Sequence, residues 1–456
     1  MKVLRILAAV AMLCAIGTPA TAQTFNDVAP IFQAKCQSCH EPGSIGPFSL
    51  ASYKEARPWA RSIKQRVESR QMPPWHIDRS VGVRKFKNDM SLTDEQVALI
   101  VKWVDMGAPE GDPTKFKAKP VAGGLYWQGE RDGYGPPDLV VSAPEYTMPA
   151  VSQDQWWRPV SDIPITEPRW IRMVEIRPTN IQGRKILHHS IAYHILSPEN
   201  VAAVNQGVGR GPSVSGSSSQ LAADLANRRP QIMEWAIGKG YDRFMEGTGK
   251  LVMPGEKISW DQHIHAVGEE ITSGSQLGLW FYPKGQEPTK RSYLVAFTGL
   301  KNGTEGLDIP PNSIAYTEGF TVLRENTIIT NFQPHFHLRG KAMLVEAIFP
   351  DGRTQTISYV KDFNFNFMTN YIFDESAAPA FPKGTIIKVS AYYDNTKGNK
   401  SNPDPEQWVG YGDRTVDEMA HSWCNLVYLN DLEYSEYIKT HGVGVTNGVI
   451  LPVTQQ

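Results

Sequence analysis

Apolar residues recur at helical spacing in three early segments of the chain. Val28, Ile31 and Phe32 share one face of 27–35. Ala56, Ala60, Ile63 and Val67 share one face of 53–70. Val97, Ile100, Val101 and Val104 share one face of a third segment, which Ser91 or Thr93 can cap and Gly107 can end. Beyond residue 125 the period changes. Short apolar runs appear at 138–141, 276–281, 342–349, 354–360, 386–393 and 425–429, separated by turn residues. Such runs predict antiparallel sandwiches, and the remaining length accommodates two. The expected fold class is therefore multidomain: a small all-α domain at 24–115, a linker at 116–134, and two all-β jelly-roll sandwich domains at 135–298 and 299–456. Gly299-Leu300-Lys301-Asn302-Gly303 marks the boundary between the sandwiches. The stretch 197–250 reads as an insertion on the first, with a Gly/Ser-rich loop at 207–220 and short helices at 221–227 and 231–237.

Charge and cysteines narrow the picture. Of 456 residues, 46 are Lys or Arg and 47 are Asp or Glu, a near balance that removes the electrostatic case for nucleic-acid binding. The start reads as a signal peptide over 1–22: Lys2 and Arg5, an apolar run at 6–16 too short to span a bilayer, then Ala20-Thr21-Ala22. An exported chain, periplasmic or secreted and without a membrane span after cleavage, is the expectation. Cys14 leaves with that peptide, and Cys424 reads as a buried, inert thiol in a disulfide-poor protein. Cys36-Gln37-Ser38-Cys39-His40 has the C-x-x-C-H spacing of covalent haem c attachment, with two thiols for the vinyl groups and His40 as axial ligand. Residues 24–115 thus read as a cytochrome c domain. Gln71-Met72-Pro73-Pro74-Trp75-His76 offers Met72 as the sixth ligand and His76 as its competitor; a thioether raises the potential, a second imidazole lowers it.

Nine of the 11 histidines fall in the β half. His263-Ile264-His265 and His335-Phe336-His337 each place two imidazoles on one face of a strand, because side chains alternate with period two. His188 and His189 are adjacent, so a regular strand would point them apart; they can share a metal only where the strand ends or bulges. Imidazole suits copper, and a thioether adds preference for Cu(I). His194 and His441 read as structural.

In chain order, Leu187-His188-His189-Ser190, Trp260-Asp261-Gln262-His263 with Gly268, Leu277-Gly278-Leu279, His335-Phe336-His337, Asp394-Asn395, Asn402-Pro403-Asp404-Pro405 and Gly412-Asp413-Arg414-Thr415-Val416-Asp417-Glu418-Met419 resemble the copper type II, ascorbate-dependent monooxygenases, the family of peptidylglycine α-hydroxylating and dopamine β-monooxygenase. The resemblance covers about 135–450 and is closest to bacterial exported forms. It implies two copper ions, one per sandwich. His188, His189 and His263 would hold the electron-transfer copper; His335, His337 and Met419 would hold the copper that meets dioxygen. The family's Tyr after the third His is Ile264 here, and His265 competes with His263 for the ligand role. His421 falls two residues from Met419, on the same face, as a group behind the ligands.

The implied activity is hydroxylation of a C–H bond in a small-molecule or peptide substrate, using dioxygen. Electrons would enter through the haem from an external donor, a periplasmic redox protein or an ascorbate-like reductant. A haem and copper electron carrier or copper-handling protein, and a binding module with incidental histidines, are the other readings.

Overall fold

A computed structural model describes residues 23–42, 44, 46–116, 125–198, 200, 230–236, 238–301 and 307–449. The expected signal peptide, the Gly/Ser-rich loop at 207–220 and the helix at 221–227 lie outside the described residues, as does part of the linker. The chain forms two compact units. Met1–Glu41, Gly46–Glu68 and Leu92–Val121 supply one; Pro42–Ile45, Ser69–Ser91 and Ala122–Gln456 supply the other.

The first unit is helical. Phe25–Lys35 begins at Thr24, whose backbone N–H donates to Asp27 Oδ2 at 2.7 Å. The helix expected at 53–70 is interrupted. Tyr53–Ala56 gives way to a 3₁₀ turn, Arg57–Trp59, before Ala60–Glu68. Pro58 lies in that turn and has no N–H to continue an α ladder. Asp94–Asp105 is capped by Thr93, with Gln96 closing a reciprocal pair of bonds, and Gly107 (φ 88°) follows its end. Phe25, Phe32 and Trp103 meet in the core at ring separations of 5.9–6.1 Å.

The second unit is β-rich. One sheet runs Leu139–Ser142, Ser275–Phe281, Arg169–Pro178, Thr248–Val252, Lys290–Arg291; another runs Gln155–Trp157, Lys257–Ile264, Leu187–Ile195, Gln231–Ala236. Val174, Ile176, Leu277 and Leu279 of the first share one buried cluster with Ala192, Met233, Ile258 and Trp260 of the second, so the sheets pack face to face. A second pair follows. Tyr371–Ile372, Asn331–His335, His421–Leu429, Asn326–Ile329 and Ala380–Phe381 form one sheet; Ile314–Val322, Ile386–Asp394, Gly340–Ile348 and Thr354–Val360 form the other. Phe332 and Leu426 pack with Met343, Val345 and Val389 between them.

Three segments depart from expectation. Residues 231–236 are a strand paired with Leu187–Ile195, where a short helix was expected; cross-strand bonding overrides a weak local preference. Tyr293–Thr298, ahead of the Gly-rich boundary, already pairs with His421–Leu429. Asp431–His441 is a helix, capped by Asn430 with Glu433 returning the bond, in a stretch read as β.

Ser69–Ser91 belongs to the β unit by its contacts. Ile77 bridges Val360, Phe86 bridges Phe373, and Val83 N–H donates to Ile357 O at 2.9 Å. Trp75 packs edge-on to Tyr371 at 4.7 Å.

A buried polar chain links the two sheet pairs. The Lys239 ammonium binds Glu234 and Asp242, Asp242 Oδ1 accepts from Asn370 Nδ2 at 2.6 Å, and Asn370 Oδ1 accepts from Asn331 Nδ2 at 2.6 Å. Each charge in it is paired, as burial requires.

Candidate functional site

A short helix, Gly183–Ile186, leads into the strand Leu187–Ile195. Opposite it, His263 pairs with His189 and Ile264 pairs with Leu187, so His188 is the extra residue of a bulge. A bulge turns neighbouring side chains off strict alternation. Adjacent histidines therefore reach one place. The ligand atoms of His188, His189 and His263 all lie within 4.8 Å of one another, the one such group of three found among the described residues. The Nδ1 atoms of His188 and His189 are 3.4 Å apart.

His263 is held from behind. Its Nε2 lies 2.8 Å from Asp154 Oδ2, so Nε2 carries the proton and Nδ1 keeps its lone pair. That Nδ1 is buried and has no hydrogen-bond partner. Trp156 pairs with His263 across the strands and stacks on its ring at 4.6 Å and 4°. Burial, then neighbouring imidazoles, pushes His188 down to about 3 and holds His189 well below its ordinary range. Neutral imidazoles with converging lone pairs are a metal-ligand set. His265 stays outside it. Its ring is half-buried, 6.2 Å from that of His188.

The second group stands at the end of Asn331–His335. The His335 and His337 rings are 5.4 Å apart. His337 Nδ1 lies 3.1 Å from the Asp417 carbonyl, and His335 Nδ1 lies 3.3 Å from Met368 Sδ. Each contact places the proton on Nδ1 and leaves Nε2 as the electron-pair donor. Burial is the largest cause that pushes His337 down to about 4.

Glu418 fixes this corner. One carboxylate oxygen accepts from the backbone N–H of His337 at 2.9 Å and of Met419 at 3.1 Å; the other accepts from Arg339 at 2.5 Å and Gly340 at 3.2 Å. Met419 is thereby tied beside His337. Burial raises the Glu418 carboxyl to about 7 against these donors. At Gly340 a Cβ would sit 2.1 Å from that of Phe336, so the turn needs glycine. Phe365 serves both groups: it stacks on His188 at 4.8 Å and lies edge-on to His337 at 6.3 Å.

Sequence reading missed Asp154, Phe365, Met368 and the capping role of Glu418. Only Glu418 carried a local signal, as the neighbour of Met419. His194 is buried with Nε2 2.6 Å from Glu256 Oε2, and His441 stacks on Tyr437 at 4.0 Å at a helix end, so both have structural partners.

In the helical unit, His40 N–H donates to Cys36 O at 2.9 Å, closing the turn that presents Cys36, Cys39 and His40. His40 Nδ1 lies 3.0 Å from Phe48 O, which leaves Nε2 for an axial bond. Neither thiol is in a disulfide, and burial pushes that of Cys36 up to about 12. At Gly46 a Cβ would meet His40 Nδ1 at 2.7 Å, so glycine permits this close approach. Met72 and His76 lie in Ser69–Ser91, grouped with the β unit, and the His76 N–H donates to the Tyr371 hydroxyl at 3.2 Å.

The family model for cytochrome c oxidase, cbb3-type, subunit III matches residues 23–104. The match covers the described helices of the first unit together with Ser69–Ser91, and with C-x-x-C-H it points to a cytochrome c domain carrying haem c. No curated protein matches the chain. Among solved structures, the infectious bursal disease virus VP2 subviral particle is similar at 10% identity, covering 66% of this chain and 73% of that one, with a TM-score of 0.18. The Gx strain of that virus is similar at 8% identity, covering 69% and 85%, with a TM-score of 0.15. Scores this low carry no argument about fold or function. Among the described residues, no helix is long and apolar enough to cross a membrane.

Proposed function

We propose that the chain is an exported copper-dependent monooxygenase, with jelly-roll sandwiches of the type II family, that hydroxylates a C–H bond of an organic substrate. The observation that carries this reading is the bulge at His188, which brings His188, His189 and His263 within 4.8 Å. The donor set fits copper: three neutral imidazoles in one sandwich, and two imidazoles in the other, with the Met368 thioether 3.3 Å from His335 Nδ1. Copper bound there would cycle between Cu(I) and Cu(II) and activate dioxygen.

The protein's own groups do the rest. Asp154 and the Asp417 carbonyl hold protons on His263 Nε2 and His337 Nδ1, so the other nitrogen of each would be the one to bind an ion. Trp156 and Phe365 cover imidazole faces and keep water off them. Glu418 accepts from the backbone N–H of both His337 and Met419, so the two loop segments that carry them keep one spacing. The haem domain supplies a one-electron carrier on the same chain, filled by an external donor.

The test is metal content, then oxygen uptake. Protein from copper-replete cells with haem maturation machinery is expected to hold two coppers and one haem. Oxygen uptake should then depend on one compound of a metabolite library and yield its hydroxylated product. Two coppers with no substrate-dependent uptake would favour the electron carrier. Zinc, or no metal, would sink the reading.

Asp154 gives a sharper check. Asp154→Ala is expected to weaken one copper by about 10–100-fold, the usual cost of losing a group that orients a ligand. A chelator competition titration measures it, and the second copper serves as internal reference.

A further inference from the structure

The strand His421–Leu429 starts earlier than the apolar run 425–429 implies, and its first residue lies directly opposite His335. Directly opposed residues of an antiparallel pair project to one face, with Cβ atoms about 4.5–5.5 Å apart. The two imidazoles lie nearly parallel, at 18° and 6.2 Å between centroids. His421 Nδ1 is buried and has no hydrogen-bond partner. Among the described residues, the only other histidine nitrogen in that condition is Nδ1 of His263, which faces the three-histidine cluster. Buried polar atoms in native proteins are almost always bonded, so an orphaned lone pair marks a missing partner. Tyr411 and Trp423 flank the ring at 6.3 and 5.8 Å.

We propose that His421 is a third imidazole ligand of the metal held by His335 and His337, rather than a group behind those ligands. This rests on the copper reading above. The two metal sites then each carry three histidines, and they differ by the thioether that Met419 or Met368 adds to the second. The His335 and His421 ring centroids, 6.2 Å apart, are more widely spaced than the 4.9–5.6 Å among His188, His189 and His263, so ligation by all three would require side-chain rotation.

The experiment uses the full chain carrying His188→Ala, which leaves only the second site to be read. Copper-edge X-ray absorption counts imidazoles through their outer-shell scattering. Three imidazoles per copper are expected in this background, and two after adding His421→Ala. Two in the background itself, or an unchanged count after His421→Ala, overturns the proposal. Should His421→Ala fail to fold, seen as insoluble protein or loss of the β-sheet circular dichroism, the background count alone decides. Absence of copper from the unsubstituted chain would instead overturn the monooxygenase reading, a result distinct from a two-imidazole site.

Discussion

His188→Ala is expected to lower the copper content from two ions per chain to one, and His335→Ala to do the same at the other site. The first substitution removes the bulged residue whose Nδ1 lies 3.4 Å from that of His189. Loss of a direct ligand should cost more than the about 100-fold upper range for groups that merely orient one. Hydroxylation should fall to background in both variants, for different reasons. Carbon monoxide, which binds the reduced copper that meets dioxygen, should still bind after His188→Ala and not after His335→Ala. Infrared spectra of the reduced proteins measure this. Loss of both coppers from either single change would show one shared centre, and the reversed carbon monoxide pattern would exchange the two roles.

Cys36→Ser combined with Cys39→Ser is expected to abolish covalent haem while leaving copper content unchanged. The c-type bands should disappear, and turnover should drop to what an external reductant can deliver to copper directly. A full c-type spectrum in the double variant would falsify thiol attachment at these residues. The sixth ligand is read in the same series. Met72→Ala should remove the sulfur-to-iron charge-transfer band; its survival would transfer the role away from Met72, and its absence from the unsubstituted chain would favour His76.

Chemistry was more legible in the sequence than topology. The C-x-x-C-H motif is local, so Cys36, Cys39 and His40 could be read without knowing a fold. The H-x-H pairs were legible as period-two patterns, but which histidines cooperate is a matter of register. His188 joins His189 because one residue is skipped between Leu187 and His189, and no local pattern announces that skip. His421 becomes informative only once its strand is seen to begin opposite His335. Residues 231–236 misled because strand identity there comes from pairing with Leu187–Ile195. The helix Asp431–His441 was legible and overlooked: Asn430 and Glu433 are spaced as a capping pair. Ser69–Ser91 could not have been placed, since its partners lie hundreds of positions away.

That segment also governs modularity. Trp75, Ile77 and Val83 belong to the core of the second sheet pair and are 7%, 4% and 0% exposed there. The chain enters the helical unit, leaves it after Glu68, and returns at Leu92 to complete it. The two parts are therefore interleaved along the gene, not arranged in tandem. A chain begun at residue 125 would lack part of its own β core, and one ended at 116 would carry an orphaned apolar strap. Recombination cannot exchange either part as one contiguous cassette. Synthesis order follows the same logic: the strap is made first and waits for Ile357, Val360 and Phe373 to arrive. The helical segments of the first unit, by contrast, are all synthesised before residue 125.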